Sequence, residues 1–431
     1  MFRIIAIILF LSLSSCIEVG KGYNSVIIED SKEKYDSAKS NDQFESKDLS
    51  DIKHHKKRLK IALLLPMSGK NKSLGESLFN SATLSLFDND QDNDIELILF
   101  DSMAAESNIK KTFKSIIDQN IKIVIGPIFS DEVEKIADDV IKNNIIMISL
   151  SNNQKLLGNV GDNAAIFVAG MVPEVQIDKI VSFALSQGKS SFAVIAPNNQ
   201  YGIVSAAIYK KMVKDRDAVF VTSELYSPNG NGVGNAVKRA VNAFSVPSNV
   251  AEGGGNILQE DFIVEDIEKT YAQIILVPDS GRRLSKIVKK INEENINNRD
   301  IKIVGTSQWD NILTLGDPYL VGGWFAAPNN EKFREFERKY YQIFTKFPPR
   351  MSSIIYDSIL SITNIISKKN GIDVKLQDFI AYKTNELNGF SGIDGAFRYL
   401  SNGLVQRNLA ILEVGQGRFE VIEAPDPDFM L

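Results

Sequence analysis

Residues 121–139 read IKIVIGPIFSDEVEKIADD. A short apolar run stops at Gly126-Pro127, and a polar segment with apolar residues at helical spacing follows. This is a strand delivered into a helix through a tight turn, the building unit of a parallel sheet. In such sheets, ligands are held by the loops at the carboxyl ends of the strands and by the exposed N–H groups that open each helix. The stretch therefore poses a functional question as well as a structural one. The turn either grips a ligand or only caps its own helix.

The same unit recurs on both sides. KIALLLP (60–66) reads as a buried strand with a helix over 74–87, and IELILF (95–100) as a strand followed by a Lys-rich helix over 106–118. A helix over 131–142 then leads to the strand IIMISLS (145–151). Such alternation implies βαβ units and a parallel sheet covered on both faces. After a crossing segment near 167–173 the pattern restarts. A helix over 174–186 leads to SFAVIAP (191–197), then a helix from Tyr201, AVFVTS (218–223), AQIILVP (272–278), a helix from Leu284 and IKIVGT (301–306). KIALLLPMSGKNKSLG (60–75) and SFAVIAPNNQYG (191–202) share one order of strand, proline, polar loop and helix. The chain therefore reads as two similar lobes.

Between the halves lie SPNGNGVGN (227–235) and AEGGGN (251–256), expected to be a flexible insertion on the second lobe. Neither supplies the lysine and hydroxyl that follow the glycines of a phosphate-binding loop. GLVQRNLAILEVGQGRFEVI (403–422) predicts a β-hairpin turning at 415–417 and closing the second lobe.

The amino-terminal sixteen residues, MFRIIAIILFLSLSSC, place Arg3 ahead of an apolar core over 4–13. That core is too short to span a bilayer and suits an export signal. Its end, LSSC, resembles the bacterial lipobox, which implies lipidation of Cys16, the single cysteine of the chain. By the same resemblance, Ile17 in place of Asp implies sorting to the outer membrane, with the protein facing the periplasm. Residues 17–58 mix Lys, Asp, Glu, Ser and Asn with few large apolar residues, so they read as a disordered tether. Such a tether spans roughly 35 Å on average and at most ~140 Å. His54 and His55, the only histidines, read as solvated linker residues. The whole chain is 44% hydrophobic and 24% charged with a formal net charge of −5, which gives no electrostatic ground for binding nucleic acid.

Catalysis finds little to work with. With both histidines in the tether and the cysteine at position 16, the globular part offers no Ser-His or Cys-His dyad and no His-rich metal site. Ser107–Lys110 and Ser186–Lys189 have Ser-x-x-Lys spacing but lack the partner motifs of that chemistry. No catalytic residue, cofactor or metal is expected.

Read in order, KIALLLPMSG, ELILFDS, IVIGPIFSDEV, IIMISLSNN, APNNQYG, GGWFAAP, IIYDSIL and GFSGIDGAFRYLSNGLVQRNLAILEV resemble the type I periplasmic-binding-protein family. Within it, the likeness is to the lipoprotein activators of penicillin-binding proteins, the LppC/LpoA group. The resemblance runs from about residue 60 to the carboxyl end, although the extra helical-repeat domain of the larger activators is replaced here by the tether. It implies an α/β fold of two Rossmann-like lobes with parallel sheets joined by a hinge, over 59–431. The first lobe would take about 59–170 with part of the carboxyl-terminal region. The second would take about 171–306 with the terminal hairpin. Amino-acid-binding relatives imply ligand contacts at Phe129, Ser130, Ser149 and Ser151 in the first lobe. In the second they imply Tyr201, as a ring over the ligand, and Asp279, as a counter-charge for an ammonium group.

Against a ligand stand Asp131, Glu132 and Glu134 in the first turn after Ser130. Asp131 with Glu134 fits a capping box, and their charge satisfies the helix dipole. A ligand anion ~6 Å from such a carboxylate costs about 3 kcal/mol at an effective dielectric near 20. This favours a cap over a grip. The expected function is a non-catalytic, lipid-anchored regulator that stimulates a peptidoglycan-synthesising penicillin-binding protein by contact. The alternative is a solute-binding lipoprotein that delivers an amino acid or similar molecule to an ABC transporter. Trp309 and Trp324 read as hinge or core packing beside strand-like segments, although tryptophan also anchors interfaces. Phe333, Phe336, Tyr340 and Phe344 read as the buried face of a helix, and Tyr356-Asp357 as packing near the hinge.

Overall fold

The computed structural model describes residues 56–103, 109–246, 269–295, 298–329, 331–385 and 387–425. The readings of Cys16, of the signal and most of the tether, of His54 and His55, of Ser107 and of 251–256 lie outside these residues.

The first sheet has five parallel strands: β1 (Leu59–Leu65), β2 (Ile95–Asp101), β3 (Ile123–Ile125), β4 (Ile146–Ser149) and β5 (Ala165–Val168), in the order β2-β1-β3-β4-β5. Side chains alternate across each strand, so Ile61, Leu63 and Leu65 enter one layer and Ala62 and Leu64 the other. Helices Lys72–Asn89 and Ser352–Lys369 cover the first face; Ile109–Asp118 and Ser130–Lys142 cover the second. Burial on both faces is the reason these strands read as unbroken apolar runs. The fifth strand, AIFV, corrects the sequence reading of a crossing segment there. Four apolar residues are too few for periodicity to separate a strand from a connection.

The second lobe starts with helix Pro173–Ser186, then β6 (Ser191–Pro197) and β7 (Val219–Tyr226). A two-stranded antiparallel pair, β8 (Phe244–Ser245) with β9 (Thr270–Tyr271), precedes β10 (Ile274–Leu276), β11 (Lys302–Gly305) and β12 (Trp324–Ala327). The chain then returns to the first lobe. Phe333, Phe336 and Tyr340 of helix Glu331–Phe344 pack there against Leu84 and Ile393, the buried stripe read from their spacing. Helices Ser352–Lys369 and Leu376–Ile380 follow, then a small antiparallel sheet of β13 (Phe390–Gly392), β14 (Gly395–Tyr399) and β15 (Val405–Arg407). Phe390, Phe397, Tyr399 and Val405 of that sheet join the core around β1 and β3. Finally β16 (Ala410–Val414) and β17 (Phe419–Glu423) complete a seven-stranded sheet, β17-β16-β12-β11-β10-β6-β7. β16 runs antiparallel to β12, and β17 antiparallel to β16. The predicted hairpin is therefore shorter than 403–422, since β15 belongs to the other lobe.

The chain thus passes between lobes after β5, after β12 and after β15. Each lobe opens with the same close contact. A Cβ on Gly75, in the helix after β1, would lie 2.1 Å from the Pro66 carbonyl oxygen, and one on Gly202, in helix Gln200–Lys214, 2.0 Å from that of Pro197. Only glycine lets either helix lie this near its strand end. The expected flexible insertion is partly a core helix. Gly232, at φ 81°, starts helix Val233–Asn242, which buries Val233, Ala236, Val237, Ala240 and Val241. Trp309 is wholly buried, with its Nε1 donating to Val277 O at 3.1 Å, and Trp324 is buried with Nε1 donating to Glu413 Oε2 at 2.9 Å. Both are packing residues.

Candidate functional site

A cleft of about 430 Å³ opens between the lobes at the carboxyl ends of both sheets. From the first lobe come Ile128, Phe129 and Ser130 after β3, Leu150, Ser151 and Asn152 after β4, and Gly170 and Met171 after β5. The second lobe supplies Ser307, Gln308 and Asp310 after β11 and Pro328 after β12. Arg350, Met351 and Ile354 come from the start of helix Ser352–Lys369, and Asp394 from the β13–β14 turn. Apolar side chains line much of it, with polar groups at a few points.

The Gly-Pro turn builds the near wall. Gly126 sits at φ 101°, and a Cβ there would lie 2.1 Å from Leu64 O, so no larger residue makes the turn. Pro127 O accepts from Leu150 N–H at 3.0 Å and from Ser149 Oγ at 3.3 Å, which ties the loops after β3 and β4 together. Ser149 is wholly buried and supports the wall from beneath; its Oγ also accepts from Ser151 N–H at 3.2 Å. Ser151 Oγ accepts from Asn153 N–H at 3.1 Å and keeps its own proton to donate.

Helix Ser130–Lys142 starts at this wall with Phe129 as its N-cap, and Phe129 makes no side-chain cap bond. The anticipated capping box is not formed. Asp131 is exposed and pairs with Lys135 at 3.3 Å, and Glu134 is exposed as well, so neither carboxylate sits over the helix end. Glu132 is the residue that turns inward. It is 5% exposed and its Oε2 lacks a hydrogen-bond partner. Burial pushes its carboxyl up to about 7, partly offset by the nearby Ser102 hydroxyl. Near that value a substantial fraction of the group is protonated at neutral pH. The opening of the helix, at the cleft residues Phe129 and Ser130, therefore carries less competing negative charge than the sequence implied.

The second-lobe candidates sit differently. Tyr201 is half-buried and donates from its hydroxyl to Thr306 Oγ1 at 3.1 Å, next to the cleft residue Ser307. Burial pushes its phenol up to about 12. Asp279, 3% exposed, is outside the lining. Arg283 donates to both of its oxygens at 2.8 Å, and Tyr226 donates to it as well. Burial acts against its charge, but Arg283 and Tyr226 outweigh burial and hold the carboxyl below its ordinary value. Its charge is already matched, so it is not free to meet an ammonium group. The structure brings Phe129, Ser130 and Ser151 together at the cleft, with Ser149 beneath them, and leaves Tyr201 and Asp279 in supporting positions.

Sequence reasoning missed the far wall's charged group. Arg350 Nη1 donates to Asp394 Oδ1 at 2.6 Å and to Ser353 Oγ at 3.0 Å, and its Nε donates to Asp310 Oδ2 at 2.6 Å. The guanidinium also lies over the Phe333 ring, 4.2 Å from its centroid. Burial works against its charge, yet the two aspartates hold it above its ordinary value. Behind Asp394, Arg407 pairs with the wholly buried Asp357 at 2.6 Å. The only sequence signal was PPRM (348–351), a charged residue fixed by two prolines at the mouth of an apolar helix. Among the described residues, no cluster of three or more His, Cys, Asp and Glu is placed to hold a metal, and no helix is long and apolar enough to cross a membrane. Ser186 donates to Phe183 O at 2.7 Å, and Lys189 pairs with Asp300, so that Ser-Lys spacing forms no dyad.

A family model described as periplasmic binding protein matches residues 58–418. An uncharacterized protein of Rickettsia prowazekii (strain Madrid E), RP748, is 22% identical over 258 residues, which is 60% of this chain and 62% of that relative, so the match spans under two thirds of its length. Among solved structures, an ABC transporter substrate-binding protein from Sphaerobacter thermophilus superposes with a TM-score of 0.66 at 15% identity, covering 86% of this chain and 99% of that one. A solute-binding protein of an ABC transporter from Rhodopseudomonas palustris BisB5, in complex with 3,4-dihydroxybenzoic acid, superposes with a TM-score of 0.61 at 16% identity, covering 86% and 97%. At these identities the solved structures establish the fold.

Proposed function

Since this chain belongs to the periplasmic binding protein family, we propose that it is a solute-binding protein that captures a small amphipathic carboxylate, such as an amino acid or an aromatic acid, for an ABC transporter. The observation that carries this reading is the cleft itself. About 430 Å³ suits a small organic molecule, and apolar side chains share the lining with polar and charged groups from both lobes. The carboxylate would rest on the opening N–H groups of helix Ser130–Lys142 and on the Ser130 and Ser151 hydroxyls. Ile128, Leu150, Met171 and Met351 would hold the apolar body, with Ser307, Gln308 and Asp310 facing it from the other lobe. The alternative, a penicillin-binding-protein activator, draws on the LppC/LpoA resemblance and on Asp131, Glu132 and Glu134 occupying the anion seat. Asp131 and Glu134 are exposed and Glu132 is buried with its carboxyl pushed up to about 7, which favours the solute-binding reading. Lipidation at Cys16, on the LSSC sequence, and sorting to the outer membrane, on Ile17, remain part of the proposal.

The test is a thermal-shift and calorimetric screen of α-amino acids and aromatic acids, each beside its own amide. Binding only the native state at a hundred times Kd adds about 2.7 kcal/mol of stability. The reading expects acids to raise the midpoint, amides not to, and Ser151→Ala to weaken the effect. A flat response across the panel, with tight binding to a peptidoglycan synthase, would restore the activator.

A further inference from the structure

We infer that the cleft carries its own latch, the Arg350–Asp310 ion pair, which holds the two lobes together in the absence of any solute. Three contacts seat Arg350 on the first lobe: Asp394 Oδ1 at 2.6 Å, Ser353 Oγ at 3.0 Å and the Phe333 ring at 4.2 Å. Its remaining engaged nitrogen, Nε, reaches across to Asp310 at 2.6 Å. Asp310 is equally fixed on the second lobe. It follows Trp309, which is wholly buried among Val277, Leu320 and Phe325 and bonded to Val277 O. With each partner seated on a rigid body, the pair cannot lengthen unless the lobes separate. The side chains are 24% and 8% exposed, so salt screens the pair little.

The latch is independent of what the cleft binds. Its effect on solute entry rests on the solute-binding reading, because a pair that closes the lobes beforehand lowers the open population a solute must meet. Asp310→Asn removes the bridge while leaving Arg350 on Asp394, and the shape of the side chain is kept.

The experiment follows amide hydrogen exchange and small-angle scattering of the full chain without added ligand. In D310N, amides at 128–130, 150–152 and 307–310 should exchange about tenfold faster, equivalent to ~1.4 kcal/mol of lost closure, with a larger radius of gyration. Core amides of β1 and β6 should be unchanged. The effects of D310N and of Arg350→Gln alone should add to more than the effect of the double variant, as two ends of one bond require. If D310N proves unstable, Asp310→Glu, which keeps the charge, should retain wild-type exchange. Cleft exchange and scattering identical to wild type in D310N would overturn the latch. So would additive effects in the double variant. Either result leaves the solute screen untouched, because no ligand is present.

Discussion

Replacing Glu132 by glutamine tests the inward-turned carboxyl at the head of the cleft helix. In the folded chain that group titrates near 7, against an ordinary 4.5. Below pH 4.5 it is protonated whether or not the chain is folded, so it has no effect on stability. As pH rises from there the unfolded chain ionises while the buried group keeps its proton, and folding loses ground. The loss is complete once pH passes 7. At 1.36 kcal/mol per pH unit, the difference amounts to about 3 kcal/mol. Glutamine has the same outline and nothing to titrate. Glu132→Gln should therefore gain about 3 kcal/mol on the wild type between pH 4.5 and pH 8, whatever its offset at low pH. Urea unfolding of both proteins at pH 4.5, 6, 7 and 8, with equal m-values, reads this directly. Stability curves that run parallel across the interval would refute the reasoning, because the carboxyl would then be ionised in the folded state as easily as in water.

Three further outcomes follow from contacts. Gly75→Ala and Gly202→Ala each force a Cβ to about 2 Å from a strand-end carbonyl oxygen; each should cost more than about 2 kcal/mol, and a change within the error of denaturant titration would contradict the helix placement. Arg407→Met strands the buried Asp357 and should cost about 3–5 kcal/mol, whereas Arg407→Met with Asp357→Leu should recover most of it; equal losses in single and double variants would show the pair is not the cause. Trp309→Phe removes the bond to Val277 O and leaves a void, for about 2–3 kcal/mol of lost stability by the same assay; a neutral result would deny that the indole holds the second core.

The strand-helix alternation was legible because both sheets are buried on both faces, which writes long apolar runs such as KIALLLP and SFAVIAP into the sequence. AIFV was lost because four residues leave no periodicity to read. The near wall of the cleft was legible because one local turn, IGPIFS, places Phe129 and Ser130 together, and Ser151 lies two residues beyond a recognised strand. The far wall was not. Asp310 and Arg350 stand 40 residues apart and Arg350 and Asp394 stand 44 apart, and only tertiary folding joins them. The direction of Asp131 and Glu134 also escaped the sequence, since helical spacing gives their angular position but not which face the sheet will claim. Glu132, one residue away, is the one the core takes.

The first lobe's principal core draws on residues 61–169 and again on 354–405, with the whole of the second lobe's parallel sheet encoded between them. A ribosome making this chain from its amino end lays down β1 to β5 long before the helix and small sheet that shield one of their faces. The order of synthesis therefore cannot be the order of completion. On that side the founding strands have only helix Lys72–Asn89 for cover until nearly the last segment arrives, and a truncated product ending anywhere before residue 352 would present an oily surface in place of a finished module.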